Sequence, residues 1–215
     1  MIEFINVSKR FGRRQVLADF SLQVEAGKTL AIVGPSGSGK TTLLRLAAGL
    51  ERLTSGSIKI GGDLVNDGRS IKRNPIQRGV ALVFQDLALW PHLNVQQHLQ
   101  LACRHRQLSR KERKGIIDEI LTRFEISAHR RKYPPAMSGG EKQRLALARA
   151  LVVAPEILLL DEPLSHLDAD LKSHLLALLK NTIAQRRVTT LYVTHDIAET
   201  AALGAEIFHM GKCKG

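Results

Sequence analysis

The sequence predicts an α/β protein whose largely parallel sheet is flanked by helices, with a separate all-helical lobe. Short apolar, β-branched runs alternate with amphipathic helical runs, which is the pattern of parallel sheets. A glycine-rich loop separates one such apolar run from a helical run. Residues 94–154 have helical spacing and no strand pattern, so we expect them to form the second lobe.

The elements of the first part of the chain follow from its hydrophobic patterning. Residues 2–7 and 16–24 alternate apolar and polar side chains and predict two strands. Residues 29–33 are short, apolar and β-branched, which is typical of a strand buried on both faces. Residues 41–50 place leucines at helical spacing, with Gly49 at the expected end of the helix.

The middle of the chain holds two more strands and then the helical lobe. Residues 57–60 alternate, and residues 80–84 form another buried apolar run. Asn94 followed by Gln97 resembles a capping box, so a helix is expected to begin there. Helical spacing continues to Tyr133-Pro134-Pro135, where the prolines interrupt it. It resumes at residue 138 and continues to about residue 154.

The last third returns to alternating strand and helix. Residues 157–160 and 189–193 predict buried strands, and residues 169–187 between them predict one amphipathic helix. Two cysteines, Cys103 and Cys213, lie far apart without metal-ligand spacing and are expected to be reduced thiols.

The chain is strongly basic and has no pattern of a membrane span. Its formal net charge is +12, with Lys and Arg concentrated in residues 9–14 and 104–132. Such a charge favours nucleic acid or an acidic membrane surface as a neighbour, but a solvated basic face would look the same. No apolar run approaches the length of about 20 residues that a bilayer requires, and no secretion signal is evident. We expect a cytosolic protein that is soluble when isolated.

Residues 34–41, called the phosphate loop below, match G-x-x-x-x-G-K-[ST] between a predicted strand and a predicted helix. Backbone N–H groups of such a loop surround phosphates, and the helix that follows adds positive potential. Lys40 is expected to reach the β- and γ-phosphates of ATP, and the Thr41 hydroxyl to hold Mg²⁺. The residues predicted to bind nucleotide here are Gly34, Pro35, Ser36, Gly37, Ser38, Gly39, Lys40, Thr41 and Thr42.

The apolar run before Asp161-Glu162 places two carboxylates at the end of a buried strand. Carboxyl ends of parallel strands meet at one sheet edge, beside the phosphate loop. Asp161 is therefore predicted to bind Mg²⁺, and Glu162 to act as the general base on the water that attacks the γ-phosphate. Without such a loop, two acidic residues at the end of a strand would simply belong to a solvated turn.

Residues 137–144, which read Met-Ser-Gly-Gly-Glu-Lys-Gln-Arg, resemble the signature motif of ABC ATPases. Gln85 resembles the Q-loop glutamine, residues 165–168 (Ser-His-Leu-Asp) the D-loop, and His195 the switch histidine of that family. Phe11 stands where the family has an aromatic residue that stacks on adenine. The resemblance covers essentially the whole chain, with the motifs in the family's order.

The resemblance implies further roles around ATP. Gln85 would ligand Mg²⁺ or orient the attacking water, and His195 would touch the γ-phosphate and that water. With Lys40 and Glu162 these residues form the expected catalytic set, and Thr41, Gln85 and Asp161 the expected metal ligands. Phe11 would stack on adenine, although a phenylalanine near a turn could instead belong to the core.

The signature residues imply a second subunit. Ser138, Gly139 and Gly140 open a helix and so form an anion site, yet the chain already has a phosphate loop. By resemblance they bind the γ-phosphate of ATP held by a neighbouring copy, and Asp168 crosses the same interface. Two domains would then pair head-to-tail around two nucleotides in an ATP-dependent homodimer.

The resemblance is to importer ATPases for ferric iron, polyamines, sugars and oxyanions, because residues 161–168 match their DEPLSxLD run. Residues 86–95 resemble the segment that grips membrane permease subunits, which implies a peripheral position at the cytoplasmic face and a solute-binding protein in the same system. The alternative is a soluble ABC ATPase acting on nucleic acid or ribosomes. Nucleic acid is the less favoured partner, because long coiled-coil insertions and a tandem ATPase domain are both lacking.

The sequence departs from the family pattern at three positions. Met137 replaces the usual leucine, Glu141 the commoner glutamine, and His166 the usual alanine or asparagine.

The expected architecture is one ABC ATPase domain over residues 1–215, of the P-loop NTPase class with a mixed, largely parallel sheet. Residues 1–86 and 155–215 would form a RecA-like core with an N-terminal antiparallel β subdomain, and residues 87–154 an inserted helical subdomain.

Overall fold

The computed structural model describes residues 1–68, 70–165 and 167–212. The expectations for His166 and Cys213 lie outside these residues. The helices are α1 (Lys40–Ala48), α2 (Val95–Ala102), α3 (Arg110–Arg123), α4 (Gly139–Leu151), α5 (Ala169–Arg186) and α6 (Ile197–Leu203). The strands are β1 (Ile2–Phe11), β2 (Arg14–Val24), β3 (Thr29–Val33), β4 (Ser55–Ile60), β5 (Asp63–Asn66), β6 (Val80–Val83), β7 (Ile157–Asp161), β8 (Thr189–Thr194) and β9 (Glu206–His209).

The strands form two sheets. Five parallel strands have the order β6-β7-β8-β3-β9, and four antiparallel strands have the order β2-β1-β4-β5. The predicted α/β fold class is confirmed, with its parallel and antiparallel strands in separate sheets.

Each face of the parallel sheet packs on a different hydrophobic core, because side chains of a strand alternate between faces. Leu159 and Val193 face a core shared with α1 and the antiparallel sheet, including Leu43. Leu158 and Tyr192 face the other core, which is shared with α2 to α5. Helix α1, which follows the phosphate loop, is therefore held between the two sheets.

The helical lobe contains no strand among the described residues 87–156, as predicted, but its helices are more broken than the sequence pattern indicated. The capping box at Asn94 is present, with Asn94 Oδ1 accepting from Gln97 N at 2.9 Å. A second box, Ser109 with Glu112, begins α3, and the chain between Ala102 and Ser109 is not α-helical. The prediction of nearly continuous helix from residue 94 was wrong on this point.

Three short elements were missed by the sequence reasoning, namely β5, α6 and β9. Strands β5 and β9 lie at the edges of their sheets and contain exposed residues, so they lack the continuous apolar run that marks the buried strands. Helix α6 has only seven residues, about two turns. Among the described residues, no helix has both the length and the apolar composition needed to cross a bilayer.

Candidate functional site

A cleft of about 670 Å³ opens where the parallel strands end. Its walls come from the phosphate loop after β3 and from the residues that follow β6, β7 and β8, which is where ligands bind in open α/β sheets. The predicted site residues that line it are Phe11, Gly34, Pro35, Ser36, Gly37, Gly39, Lys40, Thr41, Thr42, Gln85, Glu162 and His195. Residues predicted from five separate segments therefore meet in one place.

The phosphate loop is tightly folded around Lys40. The Lys40 ammonium donates to the carbonyls of Gly34 and Pro35 at 2.7 and 3.0 Å, so it is held at the mouth of the loop. A Cβ at Gly34 would lie 2.2 Å from the Met210 carbonyl oxygen, which only glycine avoids. Gly39 has φ 101°, in the left-handed region that favours glycine.

Ser38 is the one predicted loop residue whose side chain does not line the cleft. Its Oγ is buried and has no hydrogen-bond partner in the described part of the chain. Its backbone N–H donates to the Pro35 carbonyl at 3.2 Å and so closes the turn of the loop. Ser38 thus shapes the loop in this structure.

Two of the predicted Mg²⁺ ligands, Thr41 and Asp161, contact each other next to the phosphate loop. The Thr41 hydroxyl donates to Asp161 Oδ1 at 3.2 Å, which joins the start of α1 to the end of β7. Burial and the nearby Glu162 carboxylate raise the pKa of Asp161, and the bond from Thr41 opposes them. Gln85 lines the cleft together with Thr41, whereas Asp161 is buried and is not among the residues that line it. A hydroxyl, a carboxylate and an amide oxygen fit Mg²⁺, which prefers oxygen ligands and is usually completed by water and substrate phosphates.

Glu162 is held in a strained conformation beside His195. Its φ is 45°, unusual for a residue other than glycine, and such strain is concentrated at functional sites. Its N–H donates to the Val193 carbonyl at 3.0 Å, and its own carbonyl accepts from Ser165. These bonds place the carboxylate in the cleft, with Oε2 3.2 Å from His195 Nδ1. The His195 side chain is 69% exposed, so a ligand in the cleft could reach it.

A buried polar network supports the turn that carries the histidine. The hydroxyls of Tyr192 and Thr194 each donate to Glu199 Oε2 at 2.7 Å. The Lys172 ammonium bridges Glu199 and Asp196, 3.0 Å from each. Its hydrogen bonds to those two carboxylates raise the pKa of Lys172. Sequence reasoning missed this network, because it joins α5 to α6 and no local motif contains all its members.

Two residues of the first hairpin line the cleft in addition to Phe11, namely Arg14 and Val16. Phe11 is 46% exposed, so it does not belong to the core. The Lys9 ammonium lies 4.4 Å from its ring centroid. The Arg14 guanidinium would lie 3.7 Å from a Cβ at Gly37, so it faces the phosphate loop. The basic run of residues 9–14 was the signal for Arg14, but sequence alone did not place it here.

The signature residues do not line the cleft of their own chain. Ser138 caps α4, its Oγ accepting from Glu141 N at 3.2 Å and its N–H donating to Glu141 Oε2 at 3.0 Å. Glu141 also contacts Lys132 and His129, at 3.2 and 3.1 Å. The position at which the ABC signature motif usually has glutamine thus carries a carboxylate here, and this carboxylate contacts two basic side chains.

The other two predicted glycines and Asp168 lie at neighbouring helix ends. Gly139 is exposed at the start of α4 with open space where a Cβ would be, whereas a Cβ at Gly140 would lie 2.3 Å from Leu171 Cδ2. Asp168 caps α5, accepting from Leu171 N at 2.9 Å. Because Gly140 has no side chain, Leu171 can lie close to the start of α4.

The segment after Gln85 presents an exposed tryptophan on a rigid support. Trp90 is stacked on His98 with ring centroids 5.9 Å apart, and the backbone N–H of Trp90 donates to His98 Nε2 at 3.0 Å. The Arg149 guanidinium lies 5.7 Å from the Trp90 ring and donates to the Leu87 carbonyl at 2.7 Å. Burial lowers the pKa of His98, which favours the neutral ring that can accept this bond.

Comparisons with family models and with known proteins point to the same family. Residues 17–165 match the family model described as "ABC transporter". An Fe(3+) ions import ATP-binding protein (FbpC) of Fusobacterium nucleatum is 38% identical over 221 residues, covering 99% of this chain and 58% of that protein. A spermidine/putrescine import ATP-binding protein (PotA) of Thermotoga maritima is 43% identical, covering 96% and 55%. The chain thus spans somewhat more than half the length of these relatives.

The solved structures agree over nearly the whole fold. The dimeric structure of MJ0796, a bacterial ABC transporter cassette, superposes with a TM-score of 0.86 at 30% identity, covering 98% of this chain and 94% of that one. A dimeric post-hydrolysis state of MJ0796 bound to ADP and Pi superposes with a TM-score of 0.84 at the same identity.

Proposed function

Because this chain belongs to the ABC transporter ATP-binding family, we propose that it is the ATP-binding and ATP-hydrolysing subunit of an importer. The observation that carries this proposal is the convergence of Lys40, Glu162 and His195 on one cleft from separate segments. The cleft volume of about 670 Å³ is in the range of sites for ligands of nucleotide size.

In the proposed reaction, Glu162 accepts a proton from the attacking water. The water oxygen forms a bond to the γ-phosphorus as the bond to the bridging oxygen breaks, and that oxygen leaves with the electron pair on ADP. The products are ADP and inorganic phosphate. His195, 3.2 Å from the Glu162 carboxylate, orients that carboxylate and contacts the transferred phosphoryl group.

Lys40 and the phosphate loop hold the β- and γ-phosphates, and adenine stacks on the exposed ring of Phe11. Thr41, Asp161 and Gln85 would hold Mg²⁺, which neutralises charge on the phosphate oxygens when bound. Arg14 adds a cation on the opposite wall of the cleft, facing the loop at Gly37. We therefore add Arg14 to the nucleotide-binding residues.

We also propose that a second copy completes the site. Ser138, Gly139, Gly140 and Asp168 lie outside the cleft of their own chain and near one another at the starts of α4 and α5. A partner copy placed head-to-tail would present its Ser138 helix end to the γ-phosphate, which suits an anion. The dimeric cassette MJ0796 supports this arrangement.

The transport partners follow from the relatives. Their names describe import ATP-binding proteins for iron and polyamines, and we propose that this chain likewise works with transmembrane permease subunits and a solute-binding protein. The exposed Trp90, fixed by His98 and Arg149, is the proposed contact with the permease, at the cytoplasmic face of the membrane. The helical subdomain is proposed to span residues 87–154, inserted into the core of residues 1–86 and 155–215.

Nucleotide titration tests the cleft assignment. Replacing Lys40 with alanine removes the ammonium held at the loop and should weaken ATP binding about 10- to 100-fold, the loss expected for a hydrogen bond to a charged group. Lys28→Ala is the matched control, because Lys28 is exposed and does not line the cleft. Calorimetric titration of the parent and both variants gives the affinities. Equal ATP affinities for the parent and Lys40→Ala would refute the assignment.

A further inference from the structure

A second cavity, of about 540 Å³, lies in the helical lobe and shares no described lining residue with the nucleotide cleft. It lies between α2, α3 and the segment around residue 130. Its described lining residues are Gln96, Gln100, Arg110, Arg113, Lys114, Ile117, Asp118 and Arg130. We call it the basic cavity.

The charges in the basic cavity do not balance. Asp118 is its one carboxylate among the described lining residues, and it is closely paired with Arg130. Arg110, Arg113 and Lys114 make no side-chain hydrogen bond or ion pair with any described residue. The Arg113 Nε in particular is buried and has no hydrogen-bond partner there. Three cationic groups are thus available to an anion.

The positions of these three cations lower the stability of α3. Arg110, Arg113 and Lys114 stand three and four positions apart, so they share one helix face, where like charges repel. All three lie in the first five residues of the helix, where the backbone dipole disfavours positive charge. Charges that destabilise their own helix in this way are expected at functional sites, where a bound ligand compensates for the destabilisation.

The basic cavity is distinct from the surface around Trp90. Side chains on a helix advance by about 100° per residue, so Gln96 and Gln100 point about 160° away from His98. His98 supports Trp90, whereas the two glutamines line the cavity. Helix α2 therefore separates the two surfaces.

We propose that the basic cavity binds a phosphate group, carried either by a soluble phosphorylated compound or by an anionic lipid headgroup. Guanidinium groups match phosphate oxygens with paired N–H donors, and the two glutamine amides add neutral donors. A single carboxylate would leave part of this charge unpaired, whereas a phosphate has more charge and more acceptor oxygens. The described lining has no aromatic ring on which a nucleic-acid base could stack.

The test compares two triple variants with the same loss of charge. One removes the cavity cations (Arg110→Ala, Arg113→Ala, Lys114→Ala), and the control removes the exposed cations Arg104, Lys111 and Arg131, which do not line the cavity. Both, and the parent, carry Lys40→Ala to weaken phosphate binding in the nucleotide cleft. Pyrophosphate is titrated by calorimetry, and sedimentation is measured with phosphatidylcholine vesicles with and without phosphatidylglycerol.

The cavity variant should lose about tenfold or more in affinity for pyrophosphate or for the anionic vesicles, while the control stays within about threefold of the parent. Loss with pyrophosphate identifies a soluble phosphate, and loss with vesicles alone identifies a lipid headgroup. Equal losses in both variants, or no binding by the parent in either assay, would overturn the proposal. If the triple variant fails to fold, Arg113→Gln with Lys111→Gln as its control gives the same comparison.

Discussion

Replacing Arg78 with methionine should destabilise the fold strongly, because its buried guanidinium ties the end of α1 to its neighbours. The side chain is only 3% exposed. It donates to the Leu46 and Ala47 carbonyls at 3.1 and 2.8 Å, to Val65 at 3.0 Å and to Arg73 at 3.0 Å. Two of these acceptors are carbonyls near the end of α1, where a positive charge is also favoured by the helix dipole. Burial lowers the pKa of Arg78 to about 10, which still leaves it charged at neutral pH.

The magnitude follows from the groups left behind. Methionine fills much of the same volume but donates no hydrogen bond. The Leu46 and Val65 carbonyls keep backbone N–H donors from Gly49 and Lys72, whereas the Ala47 and Arg73 carbonyls lose the one described donor they have. A buried polar group without a partner costs about 1–3 kcal/mol. Two such carbonyls together cost about 2–6 kcal/mol. Because removing the guanidinium also removes its own desolvation cost, we expect a net loss of about 2–4 kcal/mol.

Urea unfolding provides the assay, with the midpoint compared at an unchanged slope. Arg73→Met is the control, since the Arg73–Asp63 ion pair is exposed and should contribute at most about 1 kcal/mol. A loss below about 1 kcal/mol for Arg78→Met, or equal losses in the two variants, would refute the reasoning.

Two further predictions concern the network behind the histidine turn. Lys172→Met should lower kcat about tenfold with little change in KM, because the cation positions the turn without touching ATP. Lys172→Arg keeps the positive charge and should restore much of the lost kcat. Steady-state kinetics in which Lys172→Met leaves kcat unchanged would exclude this role. The hydrogen bond from Lys172 lowers the pKa of Asp196 below its usual 3.8, so the resulting stability is present above pH 3.8 and lost as pH falls through the folded-state pKa. Acid unfolding of Lys172→Met should lack this part of the pH dependence, and identical acid profiles would contradict it.

The local motifs could be predicted from the sequence because their residues are adjacent in the chain. The phosphate loop needs only the strand before it and the helix after it, and both form as expected. Glu162 was predicted from the acidic end of its strand and His195 from its resemblance to the switch histidine. The structure brings them together because β7 and β8 are neighbouring parallel strands whose ends coincide. The buried apolar runs that form these strands determine this geometry.

Contacts between distant segments could not be predicted. Arg14 reaches the cleft only because the β1–β2 hairpin folds over the loop, and Arg78 finds acceptors on three other segments. The basic charges of α3 were visible, but their gathering into one cavity depends on how α2 packs beside them. The start of α3 could have been found, since Ser109 with Glu112 fits the capping box.

The state of the Glu162→Gln variant tests the account most directly. Glutamine keeps the shape of the side chain but cannot accept the proton of water, so assistance worth about 10²- to 10⁴-fold in rate should disappear. Lys40 and Asp161 remain, and ATP should stay bound between Lys40 of one copy and Ser138 of the other.

Light scattering of this variant at saturating Mg²⁺ and ATP should therefore give twice the mass of the monomer, and adding Ser138→Arg should return it to the monomer. A variant that binds ATP yet stays monomeric at saturation, or a dimer that Ser138→Arg leaves intact, would contradict the proposal of an ATP-bridged pair.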